Sequence, residues 1–280
     1  MTAETEFSSW IGRGEEAPAE TIGTGLLDRF RATLAPHLGE TGGVPAGLHW
    51  CLSPPAVPAL GLGPDGHPAK GGFLPPIPLP RRMWAGGEVE FVAPLHQGDR
   101  VTRRSRIGDV RLKTGRSGAL WFVTLHHELI TDRGTALRER QDIVYRAAAT
   151  AQAPAAPPDA APDARDGAEA EWRVNVDPVL LFRYSALTFN GHRIHYDEPY
   201  ARGTEFYPGL VIHGPLQATL LLNLAASVGG GLPRRFAFRG LSPACGSQTL
   251  RIRAWRTATG HELAVVSENE VTTMKAEATW

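Results

Sequence analysis

Apolar and polar residues alternate along Thr249-Leu250-Arg251-Ile252-Arg253-Ala254, the two-residue period of a strand with one buried face. Strand-like runs occupy Thr249 to Trp255, Glu262 to Asn269 and Val271 to Ala278, and Phe236-Ala237-Phe238, Pro243 and Gly246 precede them. An earlier stretch repeats the plan with Val89-Glu90-Phe91, then Pro94 and Gly98, then runs at Arg100 to Ile107, Leu120 to Ile130 and Arg138 to Arg146. Turn tetrapeptides separate runs in both copies, Thr131-Asp132-Arg133-Gly134 and Thr257-Ala258-Thr259-Gly260. Each half therefore reads as an antiparallel meander, and the chain carries two.

Ahead of the second meander the strand pattern gives way to Gly214-Pro215-Leu216-Gln217-Ala218-Thr219-Leu220-Leu221-Leu222-Asn223-Leu224-Ala225-Ala226-Ser227-Val228, followed by Gly229-Gly230-Gly231. Proline in the first turn and glycine after the last are helix boundaries. Fifteen residues rise about 22 Å, short of the roughly 20 residues that a membrane span needs. Apolar side chains on nearly every face predict a helix wrapped by sheet. A buried helix inside a curved antiparallel sheet is the hotdog arrangement. The predicted fold is thus α+β, a double hotdog with its central helix in the C-terminal half. The first half offers only Leu26 to Leu38 as a helix, so it is expected to be degenerate.

Composition changes this picture at one place. From Ala147 to Ala168, fifteen of 22 residues are Ala or Pro, which leaves little to bury and predicts a linker between residues 1–146 and 169–280. The 29 Lys and Arg balance 29 Asp and Glu, so there is no net positive field to hold nucleic acid or an anionic membrane. Cys51 and Cys245 stand far apart, which fits a reducing compartment and no disulfide scaffold. Residues 1–20 are acidic and polar and lack a secretory pattern, so a cytoplasmic location is expected.

The stretch Tyr184-Ser185-Ala186-Leu187-Thr188-Phe189-Asn190-Gly191-His192-Arg193-Ile194-His195-Tyr196-Asp197, with Val211-Ile212-His213-Gly214, resembles the signature of R-specific enoyl-CoA hydratases and hydroxyacyl-thioester dehydratases of the MaoC-like double-hotdog superfamily. The segment from Gly71 to Gly87, which contains Arg81-Arg82-Met83-Trp84, is similar to mesaconyl-C4-CoA and itaconyl-CoA hydratases. The likeness spans most of residues 20–145 and 172–280. It implies an acyl-CoA substrate, no cofactor beyond the coenzyme A of that substrate, and a monomer or a homo-oligomer of double-hotdog chains.

Hydration of an enoyl thioester needs a base for water, a proton for Cα and a donor for the enolate oxygen. The resemblance places His195 as the base, because imidazole titrates near neutral pH. Five residues upstream the superfamily has an aspartate that shares the water and delivers its proton; Asn190 stands there instead. An amide holds water but carries no acidic proton. Either His195 both takes and returns the proton, or a carboxylate such as Asp197 or Glu198 assists. The amide of Gly214 at the helix N-terminus is the expected enolate site.

Arg81 and Arg82 follow a stiff segment with nine prolines between Pro54 and Pro80. That segment is either a rigid surface cover with solvated arginines or a lid whose arginine forks onto a substrate carboxylate. Arg193 and Arg183 are weaker rivals. His192 with His195 makes a poor metal pair, having no third ligand at a recognisable spacing. His213 is expected to pack at the helix entrance, and His126 and His127 to point to opposite faces of a strand. Asn190 also suits a plain turn cap. Gly229-Gly230-Gly231 ends a helix and lacks the lysine of a phosphate loop.

Three function classes follow. One is a hydratase of a short branched dicarboxylic acyl-CoA, converting mesaconyl-C4-CoA or itaconyl-CoA to citramalyl-CoA. Another is a fatty-acid dehydratase, for which Arg100, Arg103, Arg104, Arg106 and Arg111 would dock a carrier protein unless they simply form a solvated face. The third is a hotdog thioesterase or acyl-binding module. The helix 214–228 carries no carboxylate for hydrolysis, which disfavours this last class.

Overall fold

The structure, a computed structural model, describes residues 6–115, 118–148 and 165–280. Most of the expected linker, residues 149–164, lies outside the described residues.

The first half contributes β3 (Arg81–Phe91), β4 (Arg100–Gly115), β5 (Gly118–Thr131) and β6 (Gly134–Arg146), after two short strands β1 (Gly14–Glu16) and β2 (Glu20–Thr21). The second contributes β7 (Ala170–Val176), β8 (Arg235–Gly240), β9 (Gln248–Arg256), β10 (Gly260–Val266) and β11 (Thr272–Thr279). The sheet order is β1-β4-β5-β6-β3-β8-β11-β10-β9-β7, with β2 also on β4. In each half, then, three strands meander while the opening strand, β3 or β8, pairs with the last strand of the meander. This differs from a simple four-strand meander, and its consequence is large. The free edges of β3 and β8 meet antiparallel, Gly87 opposite Phe238 and Val89 opposite Phe236, which joins both halves into one eleven-stranded sheet.

Burial follows the sequence period. Along β5, Trp121, Val123, Leu125, His127 and Leu129 point inward, while the residues between them are more exposed. His126 and His127 take opposite faces, as alternation requires. Among the arginines of β4, Arg104 bonds Glu16 and Arg111 bonds Asp109, while Arg103 turns inward toward Glu15 and Glu139.

The helices are α1 (Thr24–Leu34), α2 (Pro178–Leu187), α3 (Glu198–Gly203) and α4 (Gly214–Gly229). α4 runs inside the curl of the second half, with Leu216 through Ala226 all buried. Its polar side chains are bonded: Thr273 donates to Gln217 at 2.6 Å, and Tyr184 meets Thr219 at 2.9 Å. Asn223 Nδ2 donates to the carbonyls of Ala46 and Thr219. The expected first-half helix appears as α1, but it packs on α2 and is not the core of a first-half barrel. A cover formed by Phe7, Trp10, Phe73, Leu74, Ile77 and Leu79 packs there instead. The stiff proline-rich segment thus takes part in filling the curl that lacks a central helix.

Candidate active site

The signature segment folds as a run of capped turns. Asp177 caps α2 by accepting the Leu180 N–H at 2.8 Å, with Pro178 as the first helical residue. After α2, Asn190 Oδ1 accepts the backbone N–H of His192 at 3.0 Å, a local Asx turn. A single 3-10 turn spans Arg193–His195, and Asp197 then caps α3 by accepting the Tyr200 N–H at 3.1 Å.

His195 is 6% exposed, and its Nδ1 lies 2.7 Å from the carbonyl oxygen of Val211. A carbonyl only accepts, so Nδ1 carries the proton and Nε2 keeps a lone pair. Burial pushes the ring down to about 4, partly opposed by the Val211 bond, so it is neutral at pH 7. It stacks on His213 with centroids 3.6 Å apart. His213 is the N-cap residue of α4 and lies with Nε2 2.8 Å from Ser185 Oγ. Burial, with His195 adding to it, holds His213 far below its ordinary value, so it packs at the helix entrance as a neutral ring. The imidazole of His195 is therefore one ring away from the first turn of α4. Gly214 opens that turn. A Cβ there would come within 3.3 Å of Trp84, so the glycine admits the indole against the helix end.

The structure adds residues that the sequence reading did not single out. The loop from Leu62 to Pro68 crosses from the first half and lies on the signature segment, with the Arg193 N–H donating to the Asp65 carbonyl at 2.9 Å. It delivers His67, whose Nδ1 is 2.9 Å from Asp65 Oδ2. The His67 ring sits 4.1 Å from the His192 ring, and His192 sits 5.4 Å from His195. The Asp65-Gly66-His67 turn was legible only as one more break in a proline-rich stretch.

Asp65, His67 and His192 bring three ligand atoms within 4.8 Å, the count of an open metal site. His67 Nδ1 already faces Asp65, and the guanidinium of Arg82 bears on both histidines and opposes a further positive charge. A cation fits this donor set poorly.

The candidate arginines separate. Arg82, half-buried on β3, faces this cluster and Tyr145. Arg81 faces the other way, 5% exposed, with Nε on Glu205 at 2.7 Å and its guanidinium over Tyr207. Arg193, expected as a substrate arginine, is engaged: it bonds Asp197 at 2.7 and 2.9 Å, reaches the Pro64 carbonyl and lies over Tyr200. Arg183 reaches the Ala32 carbonyl. Asp197, considered as an assisting acid, is held below the usual carboxylate range by the Arg193 bond and the Tyr200 N–H. It is an ionised cap with no proton to give. Glu198 pairs with Arg202.

Comparison with known proteins gives the family. The family described as hydroxyacyl-thioester dehydratase type 2 matches residues 47–246. The chain is 41% identical over 244 residues to a mesaconyl-C(4)-CoA hydratase of Chloroflexus aurantiacus, covering 86% of each. It is 29% identical over 268 residues to the mitochondrial hydroxyacyl-thioester dehydratase type 2 of Schizosaccharomyces pombe, covering 81% of this chain and 85% of that one. Among solved structures, HtdX of Mycobacterium tuberculosis superposes with a TM-score of 0.68 at 18% identity, over 95% of this chain and 98% of that one. A double-hotdog protein of the same organism superposes with a TM-score of 0.55 at 15% identity, over 96% of each. The fold and these relatives define a double-hotdog hydro-lyase of acyl thioesters. The chain belongs to the hydroxyacyl-thioester dehydratase type 2 family. No helix among the described residues is long and apolar enough to cross a membrane.

Proposed function

We propose that the protein reversibly hydrates an enoyl-CoA, with the branched dicarboxylic mesaconyl-C4-CoA as preferred substrate and citramalyl-CoA as product. The observation that carries this reading is the Nδ1 bond from His195 to Val211, which leaves a neutral imidazole with Nε2 available as a base beside the first turn of α4. Nε2 takes one proton of the water while the oxygen bonds to Cβ. The π pair moves toward Cα, and the negative charge on the thioester oxygen is met by the N-terminal amide of α4 at Gly214. The proton held by His195 passes to Cα, so one water supplies both the hydroxyl and the new C–H. Asn190 acts as a turn residue, its Oδ1 taken up by the His192 N–H.

The dicarboxylic substrate is favoured by the Chloroflexus relative and by Arg82, the one arginine of the 81–82 pair that faces the histidine cluster. Loss of enoyl-thioester absorbance across mesaconyl-C4-CoA, itaconyl-CoA and crotonyl-CoA tests it. Fastest turnover of mesaconyl-C4-CoA is expected, and His195→Ala should lower kcat at least about 100-fold without unfolding the protein. Release of free CoA in place of hydration would put the chain among thioesterases.

A further inference from the structure

The family reaction uses two groups on the water, yet one of them is Asn190 here, and its oxygen is committed to the His192 N–H. A second acceptor is within the same cluster. The loop that carries it is fitted closely: Gly66 has a φ of +87°, its Cβ would fall 1.9 Å from the Gly191 carbonyl oxygen, and a Cβ on Gly191 would fall 2.7 Å from that of Gly66. Only two glycines permit this backbone contact. The Arg193 N–H bond to Asp65 and the Arg193 side-chain bond to Pro64 clamp the loop from the other strand of chain. The clamp places His67 against His192 in a row of imidazoles that runs on through His195 to His213.

We infer that His67, oriented by Asp65, is the second water-holding group of the reaction and replaces the carboxylate that the Asn190 position lacks. Asp65 accepts the Nδ1 proton of His67, as Val211 does for His195, so both rings present a lone pair at Nε2. A water between them donates one O–H to each. The O–H held by His195 breaks as the oxygen–Cβ bond forms, and that proton ends on Cα. The O–H held by His67 stays intact and becomes the product hydroxyl. Atoms balance and both imidazoles finish neutral. His67 is then a catalytic residue and Asp65 a positioning residue. The charged and titratable groups facing His67 are Asp65 on its own loop, Arg82 on β3, and His192 and His195 on the signature segment, with Tyr145 of β6 beside Arg82 and Asp65. Burial lowers His67 and the Asp65 bond raises it, while Arg82 adds to the lowering.

The inference rests on the hydratase reading, and the experiment separates the two. His67→Asn keeps an amide donor for Asp65 but removes Nε2. With crotonyl-CoA it should lower kcat at least 30-fold and change KM less than threefold. Adding Asn190→Asp to that variant should restore at least tenfold, because a carboxylate then holds the water. Asp65→Asn should move the acid limb of the kcat profile to lower pH, since the group that raises His67 is lost. A His67→Asn enzyme within threefold of wild type overturns the inference alone, as does a folded double variant that gains nothing. If His67→Asn does not fold, an unmoved acid limb in Asp65→Asn overturns it. A wild-type rate abolished by EDTA and restored by Zn2+ would assign the cluster to a metal and overturn it too. A wild type that hydrates none of the three thioesters overturns the parent reading and this one together.

Discussion

At the scale of single residues, two adjacent arginines show how strand geometry divides roles. Neighbours on β3 point to opposite faces, so Arg81 enters a buried pair with Glu205 while Arg82 turns to the histidine cluster. The sequence placed both after one stiff segment and left open which of them would fork onto a carboxylate, because alternation says that neighbours diverge but not which way each turns. Replacement by Met should therefore have different outcomes. Arg82→Met is expected to raise KM for mesaconyl-C4-CoA by about 10-fold or more relative to crotonyl-CoA, the weight of a charge-assisted bond; steady-state kinetics with both substrates checks it, and equal effects would remove the clamp. Arg81→Met leaves Glu205 buried and unpaired, which should cost about 3–5 kcal/mol, read as a lower urea midpoint. His195 and Gly214 were legible as candidates because the segments around them resemble the superfamily signature. His67 was not, since a histidine 128 positions upstream reaches the cluster only through a loop crossing.

At the scale of elements, α4 illustrates how a buried helix tolerates polar positions. Asn223 is fully buried and joins the helix to the segment before β3: its Nδ2 donates to the Ala46 carbonyl at 2.9 Å, and its Oδ1 accepts the Gly39 N–H at 3.2 Å. Asn223→Leu should destabilise the protein by about 2–4 kcal/mol, because a buried amide and a buried carbonyl both lose their partner. Chemical denaturation measures this, and a change below 1 kcal/mol would show that water replaces the side chain. The helix itself was readable from Pro215 and the glycine run, which set its ends by local backbone chemistry. The region around His195 owes its organisation to side-chain caps, Asp177, Asn190 and Asp197, each acting over two or three residues. Hydrophobic period does not register such caps.

At the scale of the whole molecule, the one sheet shared by both halves buries a set of neutral histidines. Burial holds His49 near 3 and His127 and His195 near 4, and His213 well below its ordinary value. In the unfolded chain each binds a proton near pH 6.5. Between pH 6.5 and 4 the unfolded state therefore holds more protons, and stability must fall as pH drops through that window. Glu139, raised to about 7 by burial, acts in the opposite sense between pH 4.5 and 7, but one carboxyl faces four imidazoles. The melting temperature should drop by more than about 5 °C from pH 7.5 to pH 5; a flat profile in differential scanning calorimetry would contradict the burial of these rings. The same scale decides what each level of description can supply. The sequence alone determined the strands and the buried helix, because alternation and Pro and Gly positions act over short stretches of chain, while His195 was singled out by the resemblance of its segment to a known signature. Only the tertiary structure decided that β3 pairs with β8, that Arg82 and not Arg81 faces the cluster, and that Asp65 and His67 reach His192. Periodicity tells which face of an element is covered, whereas the identity of what covers it depends on register and on long-range docking that no local pattern encodes.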